Sequence, residues 1–134
     1  MLTADLTVLQ AKRFGVFTCS NNDTLLKVAQ RMVEEDISAL VVIDENGFLN
    51  GIITRTDLLK AFVSLEDWEK HKVSGLMKPE VITVTPQTNL MRVAEILLEQ
   101  QIHRVVTVRE EGGKKRPISV VSAADIVYHM AKNN

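Results

Sequence analysis

The chain has 134 residues, 46% hydrophobic and 25% charged, and sixteen basic residues against seventeen acidic ones leave a formal charge of −1. That length fits one domain or two very small ones, with enough apolar side chain to close a core. The balanced charge excludes a diffuse basic field for nucleic acid or an anionic membrane, and the single cysteine, Cys19, excludes an intramolecular disulfide and a cysteine-based zinc cluster.

The opening "MLTADLTVLQAKRF" lacks the uninterrupted apolar stretch of a signal peptide, and residues 1–13 predict an N-terminal arm or short helix. No run approaches the roughly 18 apolar residues of a membrane span, so a soluble, cytoplasmic protein is expected. A strand follows at 16–20, and the polar "NND" opens a helix on which Leu25, Val28, Ala29 and Met32 recur at helical spacing. The run "ALVVI" is too apolar for a half-exposed strand. A turn at Gly47 leads to the strand "LNGIIT", which ends at "TRTD" (54–57), where a second helix starts.

Residues 66–79 read as a charged linker, after which the order returns. A strand at 81–85 precedes a helix opened by "TPQT" and carrying Leu90, Val93, Ala94 and Leu97. Then come "VVTV", a turn at Gly112-Gly113, the strand "PISVVS", and "SAAD" (122–125) before a last helix. "TLLKVAQRMVEEDIS" (24–38) lies over "NLMRVAEILLEQQIH" (89–103) with a shift of 65, and Asp57 overlays Asp125 with a shift of 68. The three extra residues fall in "REEGGKKR", expected to be a hairpin loop.

The chain is therefore an α/β (α+β) duplication, β-α-β-β-α twice, with repeats at 14–65 and 80–134. Sixty residues alone bury only about 60% of their unfolded surface. The two repeats are expected to pack about a pseudo-two-fold axis as one module. Leu58, Leu59, Ala61, Phe62, Val63 and Leu65 leave the first closing helix little solvated face, and the helix at 90–98 is similarly apolar, which predicts a homodimer.

In "ISALVVIDENGFLNGIITRTDLL", "VSGLMKPEVITVTPQTNLMRVAEILLEQQIHRVVTV" and "PISVVSAADI" the sequence resembles a tandem CBS (cystathionine β-synthase) domain pair, a Bateman-type regulatory module, from about Phe14 to His129. The resemblance implies a βαββα fold per repeat and disc-like dimers. It also implies that clefts between repeats bind an adenosine-containing ligand: AMP, ADP, ATP, NAD or S-adenosylmethionine. By position in the family, one site combines Val16, Phe17, Ser38 and Ala39 with Ser122 and Asp125. Its sibling combines Val81, Ile82, His103 and Arg104 with Thr54 and Asp57, and Arg55 is a further candidate phosphate contact.

Two readings of S/T-x-x-D stand side by side. As a capping box, the hydroxyl accepts from an orphan helix N–H and the acid reaches back to the cap's own N–H. Asp is shorter than the usual Glu or Gln, so a poorly formed reciprocal bond is expected. As a ligand hook, a carboxylate offers two acceptors to the vicinal hydroxyls of a ribose, and the exposed N–H groups of the helix start favour phosphate. His103-Arg104, where the first repeat has Ser38-Ala39, is the best phosphate-binding pair.

Two departures from the repeat bear on occupancy. Ser119 stands where Gly51 stands, which holds the backbone farther from a ligand, and Thr107 interrupts an apolar strand and needs a partner if buried. Nothing places Cys19 beside a histidine. His71 lies in the linker, His129 is expected on an exposed helix face, and no P-loop, G-x-G-x-x-G or metal-binding helix is present, so no enzyme and no metal site are expected. Two hypotheses remain: an adenylate sensor acting through a dimer rearrangement or an unidentified effector protein, and a ligand-independent assembly module whose acids only cap helices.

Overall fold

The structure is a computed structural model and describes residues 2–13 and 15–133; Phe14, where the first repeat is expected to open, lies outside the described residues. A 3-10 turn (Thr3–Asp5) and α1 (Val8–Ala11) come first, then β1 (Thr18–Ser20), α2 (Leu25–Glu35), β2 (Ala39–Ile43), β3 (Leu49–Thr54) and α3 (Arg55–Ser64). After two 3-10 turns (Trp68–Lys70 and Val73–Gly75) the order repeats as β4 (Thr83–Val84), α4 (Leu90–Gln100), β5 (Arg104–Glu111), β6 (Lys114–Ser122) and α5 (Ala123–Asn133). This is the expected β-α-β-β-α, twice.

Each repeat forms a three-stranded sheet in the order β1-β2-β3 or β4-β5-β6, with the first pair parallel and the second antiparallel. The duplication reaches the irregularities. The antiparallel registers slip between Val42 and Ile43 and again between Thr107 and Val108, equivalent positions in the two halves. The first hairpin turns on Asp44, whose Oδ1 accepts the N–H groups of Asn46 and Phe48, with Gly47 at φ 85°. In the second hairpin the three extra residues are not loop. They lengthen the ladder to Glu111 and Lys114, and the turn shrinks to Gly112 and Gly113 at φ 59° and 81°, the left-handed pair that suits the strand twist. At its tip the Arg116 side chain donates to the Glu111 carboxylate and holds its carboxyl below the usual range.

The chain divides into two compact units, one from Phe17 to Val81, the other joining the residues up to Val16 with those from Ile82 onward. One core holds Cys19, Leu25, Val28, Met32, Leu40, Val42, Ile53, Ala61 and Val73. The other holds Val8, Ala11, Val84, Leu90, Val93, Leu97, Val105, Val121 and Ile126. Val8 and Val73 are equivalent members of the two cores, which explains the arms. The N-terminal arm is the first copy of the "linker", and each is fastened in the same way. Val8 N donates to Thr88 O as Val73 N does to Asp23 O, and Leu90 N donates to Leu6 O as Leu25 N does to His71 O. Thus residues read as linker complete the unit of the first repeat, and residues read as an arm complete that of the second.

Candidate ligand-binding site

The expected sites each combine residues of both repeats; within each unit, the candidates of its own repeat other than Val16 and Val81 lie at one sheet end, where the last strand gives way to the last helix. Ala39 pairs with Thr54, and Arg104 with Ser122. Ser38 O accepts the first helical N–H, that of Arg55, at 3.1 Å, and His103 O accepts that of Ala123 at 3.1 Å. The carbonyls of Phe17 and Ile82 accept from Val41 N and Val106 N at the same end. So Phe17, Ser38, Ala39, Thr54, Arg55 and Asp57 share one sheet end, and Ile82, His103, Arg104, Ser122 and Asp125 share the other. Val16 and Val81 are half-buried, while Arg55 and His103 are exposed. Phe17 and Ile82 immediately precede strands expected to begin two residues earlier.

Each acid forms its capping box through one carboxylate oxygen. Asp57 Oδ2 accepts from Thr54 N at 2.8 Å and Thr54 Oγ1 at 3.0 Å; Asp125 Oδ2 accepts from Ser122 N at 2.8 Å and Ser122 Oγ at 3.1 Å. The expectation of a poor reciprocal bond is reversed. The short Asp side chain makes the tight contact, and the long bond is the hydroxyl's, 3.4 Å from the acid's own N–H in both repeats. Each acid's Oδ1 stands outside the box and faces a cation: Lys78 Nζ at 3.6 Å from Asp57, and Arg13 Nη1 at 3.1 Å from Asp125. Neither cation was singled out in the sequence. The signal that finds them is the shift itself, since Arg13 and Lys78 are 65 residues apart on the two equivalent arms.

Three further expectations change. The helix starts are less open to phosphate than expected, because the N–H groups of Arg55, Asp57, Ala123 and Asp125 already have partners within the chain. Gly51 makes room for its own chain, not a ligand: a Cβ there would meet Lys78 O at 2.7 Å and Met77 Sδ at 2.8 Å. The residue equivalent to Met77 on the other arm is the exposed Lys12, so Ser119 can replace glycine and stay buried. His129 is not on a free face. Its Nε2 lies 2.7 Å from Ala11 O, and its own carbonyl accepts from Thr3 Oγ1, so it fastens the arm to α5.

Sequence comparison matches the family described as CBS domain over residues 6–64 and again over 73–132. The chain belongs to the CBS domain family. Its relatives include CBS domain-containing protein CBSX3, mitochondrial, of Arabidopsis thaliana, 32% identical over 81% of this chain and 53% of that protein. Hypoxic response protein 1 of Mycobacterium tuberculosis is 26% identical over 89% of this chain and 81% of that one. The chain thus spans about half the length of the first relative. Among solved structures, the CBS-domain protein ATU1752 from Agrobacterium tumefaciens superposes with a TM-score of 0.80 at 25% identity, over 92% of this chain and 98% of that one. The CBS domain pair of protein MJ0100, in complex with 5-methylthioadenosine and S-adenosyl-L-methionine, gives 0.85 at 24% identity, over 96% and 98%.

Cys19 lies in the core of the unit from Phe17 to Val81. Its thiol is 4% exposed, and burial, with Asp23 adding to it, pushes its pKa up to about 12, so it stays protonated at neutral pH. Among the described residues no three His, Cys, Asp or Glu side chains group as a metal site, and no helix is long and apolar enough to cross a membrane.

Proposed function

We propose that this CBS pair is a non-catalytic regulatory module that binds an adenosine-containing ligand (AMP, ADP, ATP, NAD or S-adenosylmethionine) at the sheet ends carrying Asp57 and Asp125. The observation that carries the reading is the divided carboxylate. The capping box uses Oδ2 alone, so in both repeats Oδ1 lies outside the cap, and a sugar hydroxyl can take it in exchange for the side-chain cation that faces it. Thr54 and Arg55 beside one acid, and Ser122, His103 and Arg104 at the sheet end of the other, supply flanking polar groups. The ligands bound by the CBS pair of MJ0100 both contain adenosine, which supports the class. A relative over 52 residues, at 38% identity, is the 5'-AMP-activated protein kinase subunit gamma of Kluyveromyces lactis.

The signal leaves through a homodimer partner or an effector protein in the cytoplasm. Exposed apolar residues recur at equivalent positions: Leu26 and Met91, Val33 and Leu98, Leu59 and Val127, Phe62 and Met130. Two faces of like layout suit self-association, because each patch then meets one of its own kind. A second reading, an assembly module without ligand, is favoured by the completeness of both capping boxes. Isothermal titration with the five ligands separates the two. Under the sensor reading at least one binds, and Asp57→Ala or Asp125→Ala weakens it by about 1.5–3 kcal/mol for each charge-assisted bond lost. Unchanged affinity in both variants overturns the site, and no binding by any of the five leaves the assembly reading.

A further inference from the structure

We infer that Arg13 and Lys78 are built-in competitors for the two acids, so that a ribose binds by displacing an arm's cation and the arm's docking sets the affinity of each site. The inference rests on the adenosine-binding reading and extends it to two residues outside the candidate set. Oδ2 of each acid already accepts two bonds from its own cap. A vicinal diol is therefore directed to Oδ1, and Oδ1 is where the cation sits. Diol and cation want the same lone pairs, and an ammonium or guanidinium has no acceptor with which to bind the hydroxyls in return. The arrangement is made twice, by equivalent residues of the two arms, so it belongs to the duplicated plan of the chain.

The two clamps differ in grip. The Arg13 guanidinium lies 3.1 Å from Asp125 and 4.1 Å from the centre of the Tyr128 ring, with its side chain 28% exposed. Its arm is also tied to α5 through Ala11 and Thr3. Lys78 stands 3.6 Å from Asp57 with its side chain 52% exposed. The Asp57 side chain is only 5% exposed, but the lysine reaches it from solvent at 3.6 Å without a hydrogen bond and is the more readily exchanged. A guanidinium hydrogen-bonded at 3.1 Å and stacked on an aromatic face resists exchange. The Asp125 site is accordingly the more restrained of the two. Linkage makes the coupling mutual: if the arm's cation weakens the ligand, the ligand loosens the arm.

The test is titration of adenosine and AMP into the full chain and into Arg13→Gln, Lys78→Gln and the double variant, with thermal melts confirming that each is folded. Arg13→Gln should tighten the Asp125-dependent site by about three- to tenfold and Lys78→Gln the other by about twofold. Saturating AMP should also speed trypsin cleavage of the wild type after Lys12 and Arg13. If adenosine or AMP binds the wild type and the variants bind no tighter, or more weakly, the competitor role is overturned while the binding reading stands. Binding by the double variant alone supports the role in its strongest form. If none of the four proteins binds adenosine or AMP, the competitor role is overturned for these ligands, and the titration with the five ligands decides the binding reading separately.

Discussion

Thr107 is the side chain at which the repeat is least at ease. It is 1% exposed in β5, and its Oγ1 finds no hydrogen-bond partner among the described residues. Its counterpart is Val42, which sits in the apolar core of the other unit. A buried hydroxyl without a partner costs about 1–3 kcal/mol relative to a satisfied one, so Thr107→Val should stabilise the chain by about 1 kcal/mol, read as a rise in the urea midpoint with an unchanged slope. Cys19 gives a second prediction at this scale. The folded chain keeps the thiol proton up to about pH 12, whereas the unfolded chain loses it near pH 8.5. The folded state then binds more protons than the unfolded state, and stability falls as pH rises through that window. The urea midpoint should drop between pH 8 and pH 10.5 more steeply in the wild type than in Cys19→Ala. Thiol-specific labelling at pH 8 should await unfolding.

Strands and helices show where sequence suffices and where it does not. The order of elements, the apolar stripe at Leu25, Val28 and Met32, and both S/T-x-x-D helix starts were legible, because each rests on local spacing that repeats. The purpose of Gly51 was not, since a missing Cβ does not announce what fills its place. Here that is the strap of Met77 and Lys78, whose N–H and C=O both bond to Ile52 at 2.9 Å. Gly51→Ala should therefore cost about 1–3 kcal/mol by overpacking against backbone. Ser119→Ala at the equivalent position should stay within about 1 kcal/mol, both read by urea unfolding. The ends of α2 and α4 were also opaque. Asp36 and Gln101 close them at φ 52° and 53°, where glycine is the usual choice. Their shape is imposed by the following Ile37 and Ile102, whose N–H groups reach back to Met32 O and Leu97 O while their side chains pack on the cores.

At the scale of the whole chain, the boundary between repeats in sequence is not the boundary between units in space. A contiguous reading assigns residues 1–13 to an arm or short helix outside the second repeat, yet Val8 is 1% exposed and Ala11 5%, both within the core built by β4, α4, β5, β6 and α5. Nothing in the local pattern of "TVLQA" reveals this. Only its alignment with "KVSGL" 65 residues later, where Val73 plays the same part in the other core, exposes the common role. If the arm is structural, Val8→Ala should destabilise by about 1.5–3 kcal/mol, the transfer of two methyl groups plus a cavity, and Val73→Ala by a similar amount. Hydrogen exchange distinguishes this from general fraying. The N–H groups of Val8 and Leu90 are bonded to Thr88 O and Leu6 O, so in the wild type they should exchange with the protection of the α4 core, not of a terminus. In Val8→Ala both should lose protection before Leu25, whose N–H is held by His71 O in the other unit. Equal loss at Leu90 and Leu25 would instead mean that the two units unfold as one.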